Sequence, residues 1–141
     1  MSIRPETPED RVATHHVNEV AFGQKSEAAL VEKIRNRGML VVSLVVVSDG
    51  HIVGYIAFSP VTVKSDNASF QALALGPMAV LPEYQRRGID SRLVRAGLEQ
   101  CRHLGHEVIV SVGYPDYYSL FGFASAKSKG LECELKVPDE E

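Results

Sequence analysis

The residues with the clearest chemical potential lie between positions 76 and 91. Gln85, Arg86, Arg87, Gly88, Ile89, Asp90 and Ser91 run from a strand end into a helix start. The first amides of a helix have no internal partner, and the helix dipole there favours negative charge. Gly88 lets the backbone turn tightly or approach a ligand, and Arg86 and Arg87 can screen a diphosphate. The alternative is two solvated arginines ahead of an ordinary helix. Just upstream, Gly76-Pro77 interrupts an apolar strand. Proline cannot donate to a sheet ladder, so this pair marks an edge, a bulge or a break. Read as a simple bulge it carries no function. Read as a splay, it frees the backbone of Met78, Ala79 and Val80 to pair with an extended ligand rich in amides.

Asp90 conflicts with an anion site. Aspartate is a strong helix N-cap, worth about 0.5–2 kcal/mol over alanine. If Asp90 caps a helix beginning at Ser91, its carboxylate takes the donors a phosphate would use. Two like charges about 4 Å apart cost about 4 kcal/mol at an effective dielectric near 20, part of which arginines and water would offset. The expectation is weakened phosphate binding that Asp90→Gly would restore.

The surrounding elements must position these groups. Thr7 reads as an N-cap with Pro8 at the first helical position, opening a helix to about Phe22. Ser26 is expected to cap a second helix with Ala29, Leu30, Ile34 and Met39 on its apolar side and Gly38 as its stop. From Met39 the period changes. β-branched runs predict strands at about 40–47 and 51–63 around an Asp49-Gly50 hairpin turn. A further strand, interrupted at Gly76-Pro77, covers about 70–80. A helix is expected over 90–104, with Leu93, Val94, Leu98 and Leu104 on one side and Gly105 ending it. Strands follow at 107–113 and 131–137, around a short helix or turn at 115–123. The order implies an α+β (α/β) chain: a mostly antiparallel mixed sheet of about six strands, splayed at the strand 71–80 and flanked by helices.

Composition narrows the classes. A chain of 141 residues with 45% hydrophobic and 23% charged residues fits one globular domain spanning 1–141. A net charge of −3 offers no electrostatic case for nucleic acid. No apolar stretch is long enough to span a bilayer, and no signal-peptide pattern opens the chain. Cys101 and Cys133 lack metal-ligand spacing and read as reduced cytoplasmic thiols, with a disulfide the lesser reading. His15, His16, Glu19, Glu27 and His51 are the candidate general bases, none preferred over solvated surface groups.

Val80, Pro82, Gln85, Gly88 and the helix leucines of "LGPMAVLPEYQRRGIDSRLVRAGLEQCRHLG" resemble, in type and spacing, the central motif of the GCN5-related N-acetyltransferases (GNAT). Tyr118, Gly122 and Phe123 of "PDYYSLFGF" are similar to the family's Tyr-x-x-x-Gly-Phe segment, in a form nearest a bacterial subgroup of predicted acetyltransferases. The resemblance implies acetyl transfer from acetyl-CoA to an amine of a small molecule or a protein. It implies that Met78, Ala79 and Val80 hold the pantetheine arm and that the amides from Gln85 to Ser91 wrap the pyrophosphate. Tyr118 would give a proton to the departing thiolate; the plainer role for Tyr118 is packing beside Tyr117 and Phe121. Three features depart from the pattern: Asp90 where the family has Gly or Ala, no acidic residue in "FQALALGPMAV", and no strand after "VPDEE". The last implies an open sheet edge and a homodimer. The runner-up reading is a ligand-binding or interaction module of the same fold, with CoA binding weakened by Asp90.

Overall fold

A computed structural model describes residues 1–64, 69–106, 108–111 and 132–135. Strand β1 (Ser2–Pro5) leads through a short 3-10 turn, Pro8–Asp10, into helices α1 (Arg11–Phe22) and α2 (Ser26–Asn36). Strands β2 (Val42–Ser48), β3 (His51–Lys64) and β4 (Ser69–Val80) follow, then a 3-10 turn at Pro82–Tyr84, helix α3 (Ile89–His103), β5 (Ile109–Ser111) and β6 (Glu132–Leu135). The sheet is mixed. β1 to β4 are antiparallel neighbours in chain order, and β5 runs parallel to β4 beyond the α3 crossover. β6 pairs antiparallel with the Val61–Lys64 end of β3. β4 already occupies one edge of β3 over that stretch, so β6 continues the line of β2.

The strand expectations hold in place and type. The β-branched run over 42–63 alternates between two buried faces. Leu44, Val46, Ile56 and Phe58 belong to the core with Leu93 and Val94 of α3. Val45, Tyr55 and Ala57 pack instead with Val31 of α2. Helices therefore cover both faces. Asp49 and Gly50 both take positive φ, 51° and 79°, which the two-residue hairpin turn requires. β4 is continuous where an interruption is expected. Gly76, at φ 139°, and Pro77 form a bulge, and the β3 register shifts between Ile56 and Phe58.

Helix ends and faces differ more. Ser26 is the first residue of α2 rather than its cap; Lys25 holds the cap position. The buried face of α2 is Ala28, Val31 and Ile34, one residue off the expected Ala29 and Leu30. Thr7 does cap a turn, but Pro8–Asp10 is 3-10 before α1 begins. Asp10 accepts bonds there from the Thr7 N–H at 2.7 Å and its hydroxyl at 2.9 Å. Arg4 reaches the same carboxylate at 2.7 Å and holds it well below the usual carboxylate range. Glu6 and Arg35 form an ion pair at 2.6 Å with side chains only 4% and 9% exposed. The Thr14 hydroxyl donates to Glu6 at 2.7 Å, so β1, α1 and α2 meet at one buried carboxylate.

α3 buries Ile89, Leu93, Val94, Gly97 and Cys101. Leu104, expected on the apolar side, is 53% exposed. Burial pushes the Cys101 thiol up to about 11, in keeping with an inert core group. Gly97 faces the fully buried Phe58, and a Cβ there would meet the ring at 2.7 Å from Cζ. Gly97→Ala should therefore cost about 1–3 kcal/mol through overpacking. Urea unfolding measures it, and an unchanged midpoint would show that the ring yields freely.

Candidate functional site

The end of β4 and the start of α3 meet in a groove of about 390 Å³. Met78, Ala79, Val80, Gln85, Arg86, Ile89 and Asp90 line it, so it gathers seven of the residues singled out from the sequence. Ala21, Phe22 and Tyr84 complete the lining. These three were not anticipated. The end of α1 lies far from the motif in sequence, and Tyr84 carries no signal as a lone aromatic in a turn.

Each side of the groove has a local cause. The described ladder between β4 and β5 covers Leu73 to Leu75, and Met78 to Val80 carry β4 onward, paired to β3 on their other edge. After Val80 the chain turns at Pro82–Tyr84. The Gln85 side-chain amide donates to the Val80 carbonyl at 2.9 Å, tying the turn to the strand end. Arg86 has φ 64° and Gly88 φ 79°, so two left-handed residues bend the backbone into the helix. Such a bend turns successive amides towards one concave side, where an anion can sit.

Gly88, not Asp90, is the N-cap of α3. Asp90 lies inside the first turn, where a carboxylate is favoured by the dipole. Its Oδ1 accepts the Ser91 N–H at 2.8 Å. The cap assignment is thus corrected, yet the carboxylate does take a helix-end donor. The two arginines separate. Arg86 lines the groove, whereas the Arg87 guanidinium lies 5.3 Å from the Tyr84 ring centroid, in cation–π contact. Gly88 and Ser91 shape the turn without lining the groove.

Tyr118, with Gly122 and Phe123, lies outside the described residues. None of His15, His16, Glu19, Glu27 and His51 lines the groove. His15 sits between Glu19 at 3.3 Å and Glu32 at 3.7 Å, and Glu27 accepts from Gln24 at 3.1 Å. Among the described residues no group of three His, Cys, Asp or Glu is placed to hold a metal, and no helix is long and apolar enough to cross a membrane.

Residues 2–126 match the family model described as an acetyltransferase (GNAT) domain. The chain belongs to the GNAT acetyltransferase family. It is 36% identical over 134 residues to the uncharacterised N-acetyltransferase YhbS of Escherichia coli, covering 94% of this chain and 79% of that one. The E. coli N-acetyltransferase YjhQ is 35% identical over 123 residues, 85% of this chain and 68% of the relative. A GNAT acetyltransferase from Brucella melitensis, solved in complex with acetyl-CoA, superimposes with a TM-score of 0.81 at 36% identity over 99% of this chain and 90% of its own. The crystal structure of E. coli YhbS in complex with CoA gives 0.80 at 33% identity over 91% and 70%. The resemblance read from the strand–loop–helix motif, and the mostly antiparallel mixed sheet expected from the order of the elements, are both borne out.

The Gln85 bond yields a prediction of its own. Gln85→Ala leaves the Val80 carbonyl without that donor, a loss of about 0.5–1.5 kcal/mol for a typical bond. Amide exchange over residues 81–91 should speed up. Unchanged exchange would mean that the turn holds without this tie.

Proposed function

We propose that this GNAT-family acetyltransferase moves the acetyl group of acetyl-CoA onto an amine of a small molecule or a protein. The observation that carries the reading is the groove itself. It places a strand edge that carries no partner past Leu75 among the described residues, a helix N-terminus and Arg86 around one space. The complexes of the Brucella and E. coli relatives with acetyl-CoA and CoA support the same cofactor.

The residues present fit such a ligand. The backbone of Met78, Ala79 and Val80 can pair with the amides of a pantetheine arm as an added strand would. The amides entering α3 and the Arg86 guanidinium suit a diphosphate. Phe22 and Ala21 wall the opposite side. Bound acetyl-CoA supplies the acyl group as a thioester. The acceptor nitrogen must arrive without its extra proton, bond to the carbonyl carbon and break the carbon–sulfur bond. Tyr118 is proposed to give its phenolic proton to the departing sulfur. A general acid of this kind contributes about 10²–10⁴ in rate. Among the described residues no carboxylate or imidazole lines the groove apart from Asp90, so the amine's proton must leave to a base or along a water path that these residues do not assign.

A second reading has one observation in its favour. The Asp90 contact to the Ser91 amide would suit a GNAT-fold binding module that has lost efficient CoA binding. Thermal shift separates the two. CoA or acetyl-CoA at about a hundred times its dissociation constant should add about 2.7 kcal/mol of stability. No shift with either at millimolar concentration would leave the module. Where the shift is present, Tyr118→Phe should lower kcat and leave acetyl-CoA affinity nearly unchanged. Wild-type turnover on a working acceptor would make Tyr118 a packing residue.

The homodimer is proposed on the outer edge of β6, which pairs with β3 and, among the described residues, with no other strand. Sedimentation velocity should show a two-chain species. A monomer at high concentration would remove it.

A further inference from the structure

We propose that Asp90 limits the affinity of the groove for the diphosphate of a CoA-type ligand, acting as a tethered anion that the ligand must displace. This rests on the acetyl-CoA reading above. It concerns which part of the ligand holds it in place.

Two observations carry it. The first is the use of donors. The Arg92 N–H to Gly88 carbonyl bond, at 3.1 Å, is the first of the helical series, so the amides of Ile89, Asp90 and Ser91 precede it. A phosphate at this helix start would draw on those three. One of them, Ser91, is already given to Asp90 Oδ1 at 2.8 Å. The second is the charge on the lining. The sequence places two guanidinium groups here. The structure turns Arg87 onto the Tyr84 ring and leaves Arg86 as the arginine among the described lining residues, on a wall that also carries the Asp90 carboxylate. Among the described lining residues one cation and one anion therefore share the place where a diphosphate needs positive potential.

A ligand in such a groove is held mainly through its neutral pantetheine portion along β4. Its diphosphate adds less than a helix N-terminus and two arginines would otherwise supply. The carboxylate in turn favours the first turn of α3 when no ligand is bound, through the dipole and the Ser91 bond. The same group thus stabilises the free protein and opposes the anion.

The test is calorimetric titration of the full chain, Asp90→Asn and Asp90→Gly with CoA and with pantetheine, at fixed low salt. Asparagine keeps the acceptor oxygen without the charge; glycine removes both. Melting curves confirm that each variant is folded. CoA should bind about 5- to 150-fold more tightly to both variants, with the gain shrinking as salt rises. Pantetheine should bind all three proteins within about twofold, since it has no phosphate to repel. CoA affinity unchanged by either substitution would overturn the proposal. So would an equal gain for pantetheine, which would place the effect in groove shape rather than charge. Weaker CoA binding in Asp90→Asn, with parent binding that requires Mg²⁺, would also overturn it, because the carboxylate would then hold a bridging cation. If none of the three proteins binds CoA, the acetyl-CoA reading fails as a whole, and that result differs from measurable but equal binding.

Discussion

How closely α3 can lie on the sheet decides where its N-terminus points, and one contact governs that approach. Gly97 removes a side chain where the fully buried Phe58 ring stands up from β3. Leu93 and Val94 bury themselves on the same side, so a single helical face carries both the close approach and most of the apolar burial. The N-terminus of the docked helix opens beside the end of β4. The turn over residues 81–88 is too short to choose that position. It is strung between two ends that the core has already placed, with Gln85 fastening it to Val80.

The opposite wall is set by different physics. Ala21 and Phe22 reach the groove because α1 lies across β3 and β4. The start of α1 is anchored by charge. Arg4 holds Asp10, and Arg35 holds Glu6, with Thr14 on the same carboxylate. Such pairs, of which Glu6–Arg35 is buried and Arg4–Asp10 partly exposed, are weak evidence for net stability, because desolvation or solvent screening offsets most of their attraction. Their directional demands tie α1 and α2 to β1 in one arrangement. The Tyr55 hydroxyl beneath them is buried, and that burial pushes its pKa up. A tyrosine kept neutral this way adds packing volume rather than proton chemistry.

The groove serves two ends that conflict. A carboxylate in the first turn suits the helix, and an empty helix terminus suits an anion. Asp90 satisfies the first at the Ser91 amide. The bulge at Gly76-Pro77 carries no such conflict: it alters the β3 register while β4 runs on past it to Val80.

Much of this was legible in the sequence, because strands declare themselves through β-branched runs and turn residues. The hairpin at Asp49-Gly50, β3, β4 and the α3 crossover follow from local chemistry. The spacing of Val80, Gln85, Gly88 and the helix apolar residues carried the family. Helix faces were less secure. Ala28 and Val31 rather than Ala29 and Leu30 are buried in α2, and Gly97 and Cys101 line α3 where Leu104 does not. A helix offers several apolar stripes, and only the partner surface selects one. The Asp90 cap was misplaced for a related reason. Aspartate and glycine both suit helix starts, and the left-handed turn at Gly88 decided between them. Ala21, Phe22 and Tyr84 could not be read at all, nor could the turning of Arg87 onto Tyr84. Sequence alone determined which residues can bind an anion or pair as a strand. Which of them share one space, and with what net charge, was decided by packing between segments up to seventy residues apart in the chain (roughly the span from Ala21 to Asp90), a distance over which sequence pattern carries no geometric information.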